Sequence, residues 1–173
     1  MEGLHAAPER LRELGRHLRL GQPDRPLSTT ATARTLRTTT MKKERFCSDV
    51  VREPADGMWS NCLRVDDLIM ISGMTARGRD GETLVGDTAY TQARTVFQKI
   101  KDLVEAAGAA MDDIVKMTIF VTDMKDNAEV WQARREFFTG DFPACSLVQV
   151  AALAKPGILL EIEAVAVAGC SAD

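Results

Sequence analysis

The chain has 173 residues, 45% of them hydrophobic, with 22 Lys and Arg against 25 Asp and Glu for a formal net charge of −3, a balance that suits one soluble domain with or without an appendage. Residues 1–40 hold seven Arg, no Lys, four acidic residues and both histidines, so residues 41–173 carry 15 basic and 21 acidic groups, a charge of −6, and no His. A body of that kind cannot by itself build a His-based triad, a His proton shuttle or a His-ligated zinc site, and its acidity argues against a dedicated nucleic-acid surface.

In chain order, residues 1–40 contain Pro8, Pro23 and Pro26 and end in a Ser/Thr/Arg run, Ser28–Thr40. So few bulky apolar groups cannot offset the entropy of ordering, and disorder is predicted. Leu11, Leu14 and Leu18 fall at helical spacing among Arg10, Arg12, Arg16 and Arg19. One reading is an organelle transit peptide, weakened by Glu2, Glu9, Glu13 and Asp24; the favoured one is an upstream extension, with the working domain spanning 41–173. The four cysteines, Cys47, Cys62, Cys145 and Cys170, form no C-x-x-C pair and are read as reduced thiols of a cytoplasmic protein. No apolar run approaches the roughly 18 residues of a membrane span.

Leu68–Ser72 reads as a buried strand and Gly78-Arg79-Asp80-Gly81 as a turn. A helix follows, with Asp87 as its predicted cap, apolar residues from Ala89 to Ala107 at three- and four-residue steps, and Gly108 as its stop. Ile114–Val121 is a β-branched strand. A second helix is predicted from Asp126, with Glu129 three positions on, to Gly140, presenting Val130, Ala133 and Phe137 to the core. Ser146–Leu153 and Ile158–Ala168 read as strands separated by a Lys155-Pro156-Gly157 turn. The order gives an α+β fold, one sheet with both helices on one face. The other face must be covered, most simply by identical subunits, with a shared cleft between them.

Strand alternation puts Leu159, Glu161, Glu163, Val165 and Val167 on one face. If that face is solvated, the two carboxylates are ordinary; if it is buried, desolvation and mutual repulsion raise a carboxyl pKa toward values useful in acid/base catalysis.

These segments together resemble the Rid/YjgF family of reactive-intermediate (enamine/imine) deaminases. The similarity rests on Ile71-Ser72-Gly73, Gly86-Asp87 with Gln92, Ala106-Ala107-Gly108, Asp113–Lys116, Phe120–Met124, Phe137-Phe138, Pro143-Ala144 with Ser146, Val148–Ala151 and Glu161–Ala164, in family order from about Gly57 to Ala168. The resemblance implies a chorismate-mutase-like fold, a homotrimer with a barrel-like centre, clefts between subunits, a small-molecule substrate, and no metal or organic cofactor. It implies hydrolysis of an enamine or imine to a keto product and ammonia. Residue by residue it makes Glu161 the catalytic carboxylate and Trp59, Ser72, Gly73 and Cys145 the substrate-binding positions. Trp59 stands where a Tyr is usual, Trp131 where an Asn is frequent, and Cys145 where the family has its carboxylate-binding Arg.

Losing that planar, permanently charged fork weakens anion binding by about 2–4 kcal/mol. Either another cation replaces it, with Arg64, Arg77, Arg134 and Lys155 as candidates, or the substrate is larger and more apolar than a simple 2-imino acid, for example an aminomuconate-like intermediate. A non-catalytic trimer binding a small molecule or a partner in the same cleft is the alternative. Cys145 has no His to act as its base and reads as a buried or pocket-lining thiol.

Overall fold

The computed structural model describes residues 41–171; the predictions for residues 1–40 lie outside them. Strands β1 (Lys43–Phe46), β2 (Cys62–Val65) and β3 (Leu68–Met74) precede helix α1 (Ala89–Ala106). Then come β4 (Ile114–Val121), α2 (Asn127–Arg134), β5 (Ala144–Gln149) and β6 (Leu160–Val167). One sheet runs in the order β1-β2-β3-β6-β4-β5. Neighbours are antiparallel except β4 and β5, which run parallel. A parallel return requires a crossover, and α2 supplies it. Strands β3 and β4 flank β6 and are both antiparallel to it, so they run the same way, with α1 as their crossover.

The helices share one sheet face. Val96, Phe97, Ile100, Leu103 and Val104 of α1 are fully buried in one cluster with Ile69, Met117, Ile119 and Ile162. Each such side chain contributes about 1.5–3 kcal/mol of burial. The opposite face carries Leu68, 41% exposed, Met70, 38%, and Val148, 42%, apolar groups left uncovered among the described residues. Strand β6 alternates as predicted: Leu160, Ile162, Ala164 and Ala166 are buried toward the helices, while Glu163 on the other face is exposed.

Several boundaries differ from the sequence reading. Thr88, not Asp87, caps α1: its hydroxyl accepts from Thr91 N and its own N–H donates to Thr91 Oγ1. Gly108 follows the helix at φ +80°, as a helix stop requires. Helix α2 ends at Arg134 rather than Gly140, and Asp126 makes no side-chain cap bond. Glu129 instead accepts from Tyr90 N at 2.8 Å, satisfying a free donor of α1. Phe138 takes the buried position expected of Phe137, although Phe137 still packs on Phe97 with ring centroids 5.5 Å apart. Strand β5 begins earlier and stops at Gln149. After Val150 N bonds Val121 O at 2.9 Å the chain leaves the sheet. Strands β1 and β2 carry no apolar alternation long enough to announce them.

Gln92 ties the layers together. Buried on α1, it donates through Nε2 to Gly86 O (3.1 Å) and Gly157 O (2.8 Å) and accepts from Leu159 N (3.0 Å). Its amide thereby fixes the start of β6, two residues before Glu161.

Candidate active site

Between Ile71 and Met74 the pairing of β3 with β6 shifts register, and Ser72 and Gly73 occupy the irregularity. Ser72 binds the preceding loop twice: its N–H donates to Asn61 O at 3.0 Å and its Oγ donates to Ser60 O at 2.7 Å. That loop presents Trp59, 50% exposed, whose Nε1 donates to Asn61 Oδ1 at 3.2 Å. Asn61 is buried, and its Nδ2 donates to Arg52 O and Glu53 Oε1, both at 2.9 Å. The indole is thus held by an amide that is itself held.

Glu161 lies opposite Phe120 of β4 and is half-buried. Its carboxyl occupies the space over Gly73: a Cβ at that position would overlap Glu161 Oε1. This is why a residue without a side chain stands there. Burial pushes the Glu161 carboxyl pKa up and the neighbouring Glu163 carboxylate adds to the effect, while the Arg77 guanidinium opposes it. The Glu161 carboxyl is therefore partly desolvated even within one chain.

A cavity of about 280 Å³ opens beside this cluster, lined among others by Arg52, Trp59, Asn61, Gly73, Arg77 and Lys99. Small-molecule sites run from roughly 300 Å³ upward, so it is sized for a compact ligand. Glu161 abuts the wall at Gly73 rather than lining the cavity. Lys99 Nζ donates to Thr75 O (2.9 Å) and to Arg77 O, and burial lowers its pKa, with the Arg77 charge adding to that.

Trp59, Ser72, Gly73 and Glu161 are thus neighbours; Cys145 is not with them. It pairs with Met117 across β4–β5 and packs against the helix-side core, two strands from β6 and on the opposite sheet face from Glu161. Burial raises its thiol pKa, partly countered by Arg134 and Lys116. Trp131 stacks on Arg134, whose Cζ lies 5.1 Å from its ring.

Three of the four candidate replacement cations are occupied. Arg64 donates to the carbonyls of Asp66 and Ala107, and Lys155 pairs with Glu82. Arg134 is buried against Trp131, Phe138 and Phe142 and donates to Pro143 O at 3.2 Å. The sequence reading did not single out Asn61, Arg52 or Lys99. Asn61 next to the Gly57–Ser60 loop could have been flagged as turn chemistry; nothing in the α1 pattern distinguishes Lys99 from a solvated lysine.

Known proteins agree with this architecture. The family model described as Endoribonuclease L-PSP matches residues 51–168. The mouse 2-iminobutanoate/2-iminopropanoate deaminase is 34% identical over 115 residues, covering 66% of this chain and 84% of the mouse protein. The protein of the same description from Dermatophagoides farinae is 32% identical over 127 residues, 73% of this chain and 98% of its own. The crystal structure of RidA from an Antarctic Psychrobacter matches with a TM-score of 0.65 at 31% identity, over 72% of this chain and 98% of that one. The fold is that of an L-PSP/YjgF protein. The chain belongs to this family, as the ordered motifs predicted.

Proposed function

We propose that the protein is a cofactor-free hydrolytic deaminase of a reactive enamine or imine, with Glu161 as its catalytic carboxylate. The observation that carries this is the placement of a half-buried carboxyl of raised pKa against Gly73, at the wall of a cavity edged by Trp59. The names of the mouse and mite relatives support the reaction class. Water beside Glu161 attacks the carbon of the protonated imine as the carboxylate takes one of the water protons, giving a neutral carbinolamine. That proton then passes to the nitrogen, and the C–N bond breaks as the hydroxyl gives its own proton to the carboxylate, leaving a carbonyl product and ammonia; release of that last proton to solvent returns Glu161 to its ionised form. Such a base works best with a pKa drawn toward neutrality, the direction burial and Glu163 give it.

Trp59 offers an apolar wall, Gly73 leaves room for the Glu161 carboxyl at the cavity wall, and Ser72 holds the loop that carries Trp59. The working unit of this proposal is the domain 41–173, assembled as a homotrimer through the helix-free face, where Leu68, Met70 and Val148 are exposed. The bulk of Trp59 favours a substrate larger than a simple 2-imino acid. Four unpaired thiols fit a reducing, cytoplasmic setting.

The second reading, a trimer that binds a small molecule without turning it over, is favoured by one observation: Cys145 supplies no cation. The test follows ammonia release from freshly generated 2-iminobutanoate and from aminomuconate, comparing the wild type with Glu161→Ala. Loss of release in the variant supports the deaminase; release by neither protein, or undiminished release by the variant, overturns it.

A further inference from the structure

We infer that Arg77 forms an anion subsite that holds the carboxylate of the substrate, so that this chain binds its ligand from the cavity beside Gly73 rather than from position 145. The inference rests on the deaminase reading for the reacting end of the ligand, but not for the subsite itself.

Arg77 is held on three sides and open on the fourth. Its Nε donates to Thr75 Oγ1 at 3.3 Å. Its carbonyl accepts from Lys99 Nζ. A backbone bridge joins it to Leu84, flanked by the bonds Gly78 N to Thr83 O (2.7 Å) and Val85 N to Ala76 O (2.8 Å). Among the described residues, its two terminal guanidinium nitrogens have neither a hydrogen-bond nor an ion-pair partner. They belong to a half-buried side chain that lines the cavity. A fork whose base is anchored and whose prongs are free loses little entropy on gripping a carboxylate.

Charge around it agrees. In a body of net −6, the cavity is lined by three cations, Arg52, Arg77 and Lys99, and a single carboxylate, Glu53. Glu53 is already committed to Arg45 and Asn61. Lys99 is spent on two carbonyls, and Arg52 is exposed with its Nη1 bound to Asp80 O at 2.9 Å, which leaves Arg77 as the half-buried cation with both terminal nitrogens free. Its charge reaches Glu161, so an anion bound there directs the rest of a short ligand toward the carboxylate over Gly73. The substrate class is accordingly an enamine or imine carrying a carboxylate, with its apolar part against Trp59.

The test titrates the full chain with 2-oxobutanoate, the hydrolysis product of 2-iminobutanoate, and with its neutral carboxamide, for the wild type, Arg77→Gln, Arg77→Lys and Arg134→Gln, with circular dichroism confirming each fold. Arg77→Gln should weaken the carboxylate about tenfold or more, as loss of a charged hydrogen-bond pair does. Arg77→Lys should weaken it less, Arg134→Gln should leave it within about twofold, and the carboxamide should not distinguish wild type from Arg77→Gln. Unchanged carboxylate affinity in Arg77→Gln, equal loss of both ligands, loss in Arg134→Gln instead, or no carboxylate binding by the wild type overturns the inference. None of these readings depends on ammonia release, so failure of the deaminase reading in the Glu161→Ala assay is scored separately.

Discussion

Arg134 and Arg77 are both withdrawn from solvent in whole or in part, and their surroundings differ in kind. Arg134 is enclosed by three aromatic rings, with its Nε buried and unpartnered, so its charge is spent on packing α2 against the loop before β5. Arg77 is pinned at its base and free at its tip. The same residue type serves structure at one end of the sheet and is presented to a ligand at the other. Burial and the direction of the free nitrogens, not charge, tell them apart.

The largest expected effect is at the reacting carboxylate. Glu161→Ala should lower ammonia release by about 100-fold or more, the usual contribution of a positioned acid/base group. Gly73→Ala forces either the backbone or Glu161 to move and should cost about tenfold in kcat with a smaller change in KM, as displacement of a reacting group does. A normal rate in Gly73→Ala would detach Glu161 from the chemistry. Arg134→Gln should destabilise the fold by about 1–3 kcal/mol in denaturant melts, through lost stacking and the bond to Pro143 O. If ligand affinity falls there while stability holds, the contrast between the two arginines is reversed.

Subtler is the pH profile. The ionised form of Glu161 is the base, so the acid limb of kcat/KM should lie above the ordinary glutamate value of 4.5. Since Arg77 lowers that pKa and Glu163 raises it, Arg77→Gln should move the limb to higher pH and Glu163→Gln to lower pH. A carboxyl whose folded pKa exceeds its unfolded one leaves the native state holding more protons. Its contribution to stability therefore falls as pH rises from the unfolded to the folded value. Glu161→Gln should accordingly match or slightly exceed the wild-type Tm at pH 7. Smallest of all, Cys145→Ser should leave turnover within about twofold, because the thiol has raised pKa and turns toward the core.

How much of this the sequence carries depends on the residue. The long stripe of α1 and the alternation of β6 are periodic over many positions, so both elements and the face of Glu161 were legible. Strands β1 and β2 are four residues each, too short for periodicity to register, and exist because β3 offers them an edge to pair with. The end of α2 was misplaced because Phe137 and Phe138 keep helical spacing after the backbone has turned. Arg77 could be proposed as one cation among four, yet singling it out needed the partners of the other three, a property of packing. Lys99 and Asn61 act through backbone carbonyls and an indole, contacts that leave no pattern in a linear string.

The Gln92 amide has a dynamic consequence. Because the Leu159 N–H is bonded to a buried side chain of α1, the first residues of β6 cannot fray from the sheet unless the helix lifts with them. Hydrogen exchange at Leu159 should therefore proceed only with opening of the α1 core, orders of magnitude slower than at an ordinary strand end. The segment bearing Glu161 would then sample no open state of its own. A site for short-lived substrates would stay assembled between encounters, and only the loop bearing Trp59 would be left to adapt.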